Sequence, residues 1–328
     1  MSRSLSVAVE RFPIAGAFTI ARGSKTEAVV VTATIRDGEA AGRGECVPYA
    51  RYGETVEGVA AAVEALRPRV EAGLTREALQ AAMPAGAARN ALDCALWDLD
   101  AKRSGIRAHL TAGVTRWPPA TTAYTISLGS PAAMAEAAAR AADRPILKVK
   151  LGGPEGDVER IAAIRRAAPG ATLIADANEG WRADTLAAHL AACADAGFAL
   201  VEQPLPAQDD AALDGLRRPV PICADESVHD RAGLDRLVGR YDAVNVKLDK
   251  TGGLTEALAL ADAAQERGLA LMIGCMVGTS LAMAPALVLA PRARFVDLDG
   301  PLLLARDREP GLTYEGSVVY PPSPALWG

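Results

Sequence analysis

Eight short apolar segments recur about every 25 residues from Thr121 onward, and most end in a charged residue that a buried strand should not carry. They fall at 121–129, 146–151, 172–177, 199–203, 221–225, 243–248, 270–275 and 294–298, with helical stretches between them at 131–142, 157–168, 183–196, 254–267 and 280–290. Strands alternating with helices of that length imply parallel strands joined by right-handed crossovers. The expected fold class is α/β, a TIM-like (β/α)8 barrel. Only the stretch between the fourth and sixth segments is ragged, with Pro204, Pro206, Pro219 and Pro221.

Residues 1–115 do not follow this rhythm. Segments 5–12, 28–36 and 40–46 read as strands, with Asp37-Gly38 a turn signal between two of them. Helical stretches follow at 55–71, 75–83 and 87–103; the last opens after Pro84 and carries Leu92, Ala95, Leu96 and Leu99 at helical spacing. This describes an α+β capping domain over 1–115, a barrel over 116–303, and a tail, 304–328, that returns to the cap. A chain of 328 residues has the length for a barrel plus one smaller domain.

The formal net charge of −5, with no basic run or aromatic platform, argues against nucleic acid as a partner. No stretch approaches about 18 consecutive apolar residues, and no apolar signal segment opens the chain. Cys46, Cys94, Cys193, Cys223 and Cys275 are scattered and odd in number, as reduced thiols are. Cys223 and Cys275 lie in apolar strand segments and read as core packing. The expectation is a cytoplasmic protein with no membrane segment. A homo-oligomer is compatible with this sequence, which does not set the oligomeric state.

The C-terminal ends of barrel strands converge on one mouth, where catalysis sits. Here those ends read Lys148-Val-Lys150, Asp176-Ala-Asn178, Glu202-Gln-Pro204, Asp225-Glu226, Lys247-Leu-Asp249 and Asp297-Leu-Asp299. Strand residues two apart share a face, so Lys148 and Lys150 both point inward. Crowding of like charge and desolvation should lower a lysine's pKa there, making Lys150 a usable base. A solvated basic strand end is the plainer account, but the other ends are charged in a complementary way. Asp176, Glu202 and Asp225 supply three oxygen ligands from adjacent strands, a donor set that suits Mg²⁺. One such acid could be a helix cap; three in succession are stronger evidence. His109, His189 and His229 have no zinc-ligand spacing. Lys247 stands roughly opposite the second strand, so an amine on each side of a bound substrate fits two-base proton transfer. Asp249 and Lys250 read as a structural ion pair, and Gly42-Arg-Gly44 as a turn.

The strings K-x-K, D-A-N, E-Q-P, A-D-E-S and N-V-K-L-D-K-T-G-G resemble the enolase superfamily, in its muconate-lactonizing-enzyme subgroup, over nearly the whole chain. Within it the sequence is most similar to the dipeptide epimerases. The resemblance implies a modified, (β/α)7β barrel under the cap. It implies Mg²⁺ on Asp176, Glu202 and Asp225, with Lys150 and Lys247 as paired bases; superfamilies of this kind are themselves a worked case of lysine bases with Mg²⁺. Lys148 would lower the pKa of Lys150 and contact the substrate carboxylate, with Asn178 and Glu226 supporting the ligands. Residues 19–25 resemble the family's substrate-covering loop, so Arg22 or Lys25 would bind the side-chain carboxylate of a C-terminal Glu. Lys25 keeps the charge of an arginine there without its bidentate geometry.

Asp297 and Asp299, two apart and so on one strand face, can hold a free α-ammonium, which a dipeptide has and an N-acylated amino acid lacks. The expected activity is therefore Mg²⁺-dependent epimerisation of the C-terminal residue of a dipeptide, Ala-Glu above others. N-acylamino acid racemase and o-succinylbenzoate synthase are the rivals on the same bases. An idle barrel acting as a binding protein is the rival of another class.

Overall fold

The computed structural model describes residues 3–153 and 155–328. Near the N-terminus three strands, β1 (Ser4–Ile20), β2 (Gly23–Asp37) and β3 (Ala40–Cys46), form an antiparallel sheet in that order. The β1–β2 hairpin extends well past the expected 5–12 and 28–36. Its arms remain paired beyond a register shift, out to Ile20 opposite Gly23. Residues 19–25 are therefore the closed end of a hairpin, with Arg22 in its tip.

Helix Ala87–Ser104 lies across β3 and buries Leu92, Ala95, Leu96 and Leu99, the residues whose spacing marks it in the sequence. Gly42 and Gly44 are not a turn, as the sequence suggested; both lie on β3. A Cβ on Gly44 would stand 2.1 Å from the carbonyl oxygen of Ala91, and one on Gly42 the same distance from that of Ala95. The glycines bring strand and helix into backbone contact. Gly44→Ala should cost about 3 kcal/mol, because the obstacle is helix backbone and cannot swing away. The denaturation midpoint reads this; an unchanged midpoint would mean the two backbones are not in contact.

The stretch expected as one helix at 55–71 breaks at Leu66 into Val56–Ala65 and Arg67–Glu71, with Pro68 early in the second. The helix expected at 280–290 is α-helical only over Ser280–Ala286, with Pro285 in its last turn and a 3-10 segment after it.

A short strand β4 (Ala120–Thr121) precedes the barrel strands β5 (Tyr124–Ile126), β6 (Ile146–Lys150), β7 (Thr172–Asp176), β8 (Phe198–Glu202), β9 (Ile222–Ala224), β10 (Ala243–Val246), β11 (Ala270–Gly274) and β12 (Phe295–Asp297). The eight from β5 to β12 pair in sequence order, all parallel. The ring closes where Thr122 bridges Val296: the Ala123 amide donates to the Val296 carbonyl at 2.8 Å, and the Leu298 amide to Thr122 Oγ1 at 2.8 Å. This is the expected barrel with a separate antiparallel cap. The ragged connections after β8 and β9 are 3-10 segments, Ala207–Leu213 and Arg231–Arg236.

After β12 the tail first touches the cap, where Ile14 bridges Leu304 and the Ala305 amide donates to the Pro13 carbonyl at 2.8 Å. It then forms β13 (Tyr314–Glu315) and β14 (Val318–Val319), an antiparallel pair whose β14 also pairs with β4. Trp327, fully buried, donates to the Cys94 carbonyl at 3.0 Å on the long cap helix. Among the described residues no helix is long and apolar enough to cross a membrane.

Candidate active site

Strand register brings the charged ends together. Lys150 lies opposite Asp176, and Asp176 opposite Glu202; Asp225 follows β9 two residues beyond Cys223, which lies opposite Glu202. Lys148, Lys150, Asp176, Glu202, Asp225 and Lys247 are all buried. Lys150 Nζ donates to Asp176 at 2.6 Å and Lys247 Nζ to Asp225 at 2.7 Å. Lys148 Nζ stands 2.7 Å from Glu202, 2.7 Å from Asp297 and 3.1 Å from Asp176.

At Lys148 and Lys247 these contacts reverse the effect expected of crowding and desolvation. Burial alone would lower Lys148, but Asp297, Glu202 and Asp176 outweigh it and hold its ammonium well above the usual value. Burial likewise opposes charge on Lys247, and Asp225 and Glu202 hold it up. Opposite charge at about 3 Å beats the like-charge crowding that the K-x-K string suggested. The reciprocal effect appears in the acids: against burial, Lys150 and Lys148 keep Asp176 below the carboxylate range, and Lys247 and Lys250 do so for Asp225. Glu202 goes the other way, pushed up to about 8 by burial and by Asp176 beside it.

Among the described residues no three His, Cys, Asp or Glu side chains already converge on one point, because lysine ammoniums lie among the carboxylates. The donor set nevertheless fits a hard divalent cation. Its oxygens come from three adjacent strands, each carboxylate is buried, and burial with Asp176 raises Glu202 although Lys148 is beside it. Glu202 Oε2 has Lys148 within ion-pair distance but no aligned hydrogen bond. Three carboxylates that cannot all ionise comfortably together are a site for such an ion.

Asp297 and Asp299 both line the same cavity, of about 810 Å³, with Lys148, Lys150, Asp225, Lys247, Arg22 and Lys25. They do not share a strand face as expected, since β12 ends at Asp297 and Asp299 lies beyond it. Asp299 accepts from the Thr125 amide at 2.7 Å, while Asp297 Oδ1 is buried without a partner. Burial and the neighbouring Asp297 push Asp299 up to about 7.

Arg22 reaches down from the hairpin tip to Glu226 Oε1 and the Asn178 carbonyl, both at 2.6 Å, and to Tyr49 Oη at 3.0 Å. Lys25 stands 5.3 Å from the centre of the Tyr49 ring, and partial burial lowers its pKa. Asn178 sits at φ 46° just past β7, with Oδ1 buried and unpartnered, facing Glu226 through Nδ2 at 3.5 Å.

Other expectations change. Asp249 and Lys250 do not pair with each other: Lys250 Nζ donates to Asp225 Oδ1 at 2.6 Å, while Asp249 accepts from the Val47 amide at 3.0 Å and Asn90 Nδ2 at 2.8 Å. Cys223 is core, but Cys275 follows β11 and lines the cavity. Sequence reasoning passed over Asn245, which holds Glu202 Oε1 at 2.7 Å, and Gln203, whose Oε1 accepts the Asp225 amide at 2.8 Å. Asn245 was legible in principle, lying two residues before Lys247 on the same strand face.

Three buried strand-end carboxylates, lysines on facing walls and a cap over the mouth define an enzyme of the enolase type. The chain belongs to the mandelate racemase / muconate lactonizing enzyme family: residues 2–109 match its N-terminal domain and residues 132–322 the enolase C-terminal domain-like model. The L-Ala-D/L-Glu epimerase of Escherichia coli is 52% identical over 95% of this chain and 98% of its own length. The N-acetyl-D-glutamate racemase of a Pseudoalteromonas species is 45% identical over 91% and 95%. An Agrobacterium tumefaciens enolase family member with homology to dipeptide epimerases, solved with sodium and L-Ala-L-Glu, superposes with a TM-score of 0.98 at 56% identity, covering 99% of this chain and all of its own. An Enterococcus faecalis dipeptide epimerase complexed with Mg and L-Leu-L-Tyr superposes at 0.90 with 27% identity, covering 98% of each chain.

Proposed function

We propose that this chain epimerises the C-terminal residue of a dipeptide, with L-Ala-D/L-Glu the favoured pair, by proton transfer between two lysines. One arrangement carries the reading. In the closed eight-strand ring, β6 with Lys150 and β10 with Lys247 are four strands apart, on opposite walls. The carboxylates of Asp176, Glu202 and Asp225 occupy the arc between them on one side, and β12 with Asp297 stands midway along the other. A substrate lying across this space puts its carboxylate toward the three acids, its α-carbon between the lysines and its nitrogen end toward Asp297. A dipeptide ends there in an ammonium.

Asp176, Glu202 and Asp225 would hold Mg²⁺, which supplies positive charge against the second negative charge that develops when a carboxylate loses its α-proton. Lys150 and Lys247 serve one face each: one takes the proton and the other, protonated, returns one. Lys148 fixes Asp297 and the substrate carboxylate. Asn178 and Glu226 brace the ligands and Arg22, and Arg22 or Lys25 meets the far carboxylate of Glu. Residues 1–115 act as the cap and 116–303 as the catalytic barrel. The five free cysteines, four of them buried, favour a cytoplasmic setting.

The Pseudoalteromonas relative favours a second reading, racemisation of an N-acylated amino acid. Turnover of L-Ala-L-Glu against N-acetyl-L-Glu separates the two. The dipeptide reading expects the dipeptide to be strongly preferred. It also expects Asp297→Asn to lower kcat/KM for the dipeptide on the order of tenfold to a hundredfold, the worth of one charge-assisted hydrogen bond. Equal turnover of the acetylated compound by the wild type sinks the dipeptide reading, because no ammonium is then being recognised.

A further inference from the structure

We infer that Asn90, on the cap helix Ala87–Ser104, is a positioning residue for Lys247, acting through Asp249; the inference rests on the two-base reading above. Lys247 is the last extended residue before a single helical turn, Leu248–Thr251, and its carbonyl accepts the amides of Lys250 and Thr251, both at 3.0 Å. Wherever that turn sits, the Lys247 backbone sits.

The turn is gripped from the cap by one helix face. Asn90 Nδ2 donates to Asp249 Oδ1 at 2.8 Å, and the same oxygen accepts the Val47 amide at 3.0 Å. One residue earlier, Arg89 donates to the Thr251 carbonyl at 2.7 Å and to the Gly252 carbonyl at 3.1 Å. One turn later, Asp93 accepts the Thr255 amide at 2.9 Å and the Thr255 hydroxyl at 2.6 Å, capping the next helix, Leu254–Glu266. Gly253 passes so close that a Cβ there would fall 2.4 Å from Asp93. Asn90 and Asp249 are both buried, so neither bond is exchanged cheaply for water.

Among the described residues Lys150 has no such tether to the cap helix. The chain after it is fixed within the barrel, by the Leu151 amide on the Asp176 carbonyl and the Gly152 amide on Asp157, each at 2.8 Å. The cap helix therefore positions one base and leaves the other alone. Loosening the Asn90–Asp249 contact should degrade proton transfer on the Lys247 face only. A displacement of about 1 Å at a reacting group can cost on the order of a hundredfold.

The test uses the full chain with Mg²⁺ in D₂O and follows α-proton exchange separately from L-Ala-L-Glu and L-Ala-D-Glu by NMR. Wild type should exchange both, and Lys247→Ala identifies the epimer that depends on Lys247. Asn90→Ala should slow exchange of that epimer on the order of 10- to 100-fold while the other stays within about twofold. The ratio of the two rates does not depend on how much protein is folded, so partial unfolding does not blur it. Asn90→Ser, polar but too short to reach Asp249, should show the same asymmetry, and Asp249→Asn, which keeps the acceptor oxygen, should keep a ratio near wild type. An unchanged ratio in both Asn90 variants overturns the inference and leaves the two-base reading standing. Failure of wild type to exchange either epimer removes that reading instead.

Discussion

Lys150→Ala and Lys247→Ala should each abolish epimerisation, and each should spare α-proton exchange from a different epimer. Inversion needs a proton removed on one face and delivered on the other, so losing either lysine stops it. A positioned general base contributes about 10²- to 10⁴-fold, and the loss should be at least of that order. Exchange with solvent needs only the lysine that remains. Neither substitution strands a buried carboxylate, which would otherwise be strongly destabilising. Asp176 keeps Lys148 at 3.1 Å when Lys150 is removed, and Asp225 keeps Lys250 at 2.6 Å when Lys247 is removed. The variants should therefore fold, and the loss should be chemical. Equal residual exchange from both epimers in either variant contradicts a base on each wall.

Stripping divalent cations with a chelator should abolish turnover, and Mg²⁺ should restore it. Glu202 is raised to about 8 by burial and by Asp176 although Lys148 stands 2.7 Å away. Glu202 Oε2 is buried without an aligned hydrogen bond, and a hard divalent cation with oxygen ligands would favour its ionised form beside Asp176 and Asp225. Binding should also be visible without activity. At a hundred times its dissociation constant, an ion that binds only the folded chain stabilises it by about 2.7 kcal/mol. Glu202→Gln should lose most of that Mg²⁺-dependent rise in melting temperature. Restoration of turnover by zinc alone would contradict a site built from oxygen ligands.

Much of the architecture was legible along the chain because a parallel barrel strand is buried on both faces and reads as a short apolar run. Its polar mouth then interrupts the run at a fixed place, which is why Lys150, Asp176, Glu202, Asp225, Lys247 and Asp297 stood out. Helix Ala87–Ser104 was legible for the same kind of reason, since its buried residues recur at the helical period. Gly42 and Gly44 were misread because local sequence cannot tell a glycine that turns the chain from one that admits a helix 2.1 Å from where its Cβ would be.

What local pattern could not settle is whatever depends on a partner far away in sequence. Like charges two residues apart in Lys148-Val-Lys150 suggested depressed lysines. Yet Lys148 is governed by Asp176, Glu202 and Asp297, which only closure of the ring brings within about 3 Å. Adjacent Asp249 and Lys250 suggested a pair, but successive residues of a helical turn point different ways, so one faces Asn90 of the cap and the other Asp225 at the barrel mouth. The periodic burial of each element is a property of its own residues and was set by the sequence alone. The charge state of the lysines, the reach of Arg22 and the tether on Lys247 arise between elements, and tertiary structure decided them because electrostatics and hydrogen bonding act through space.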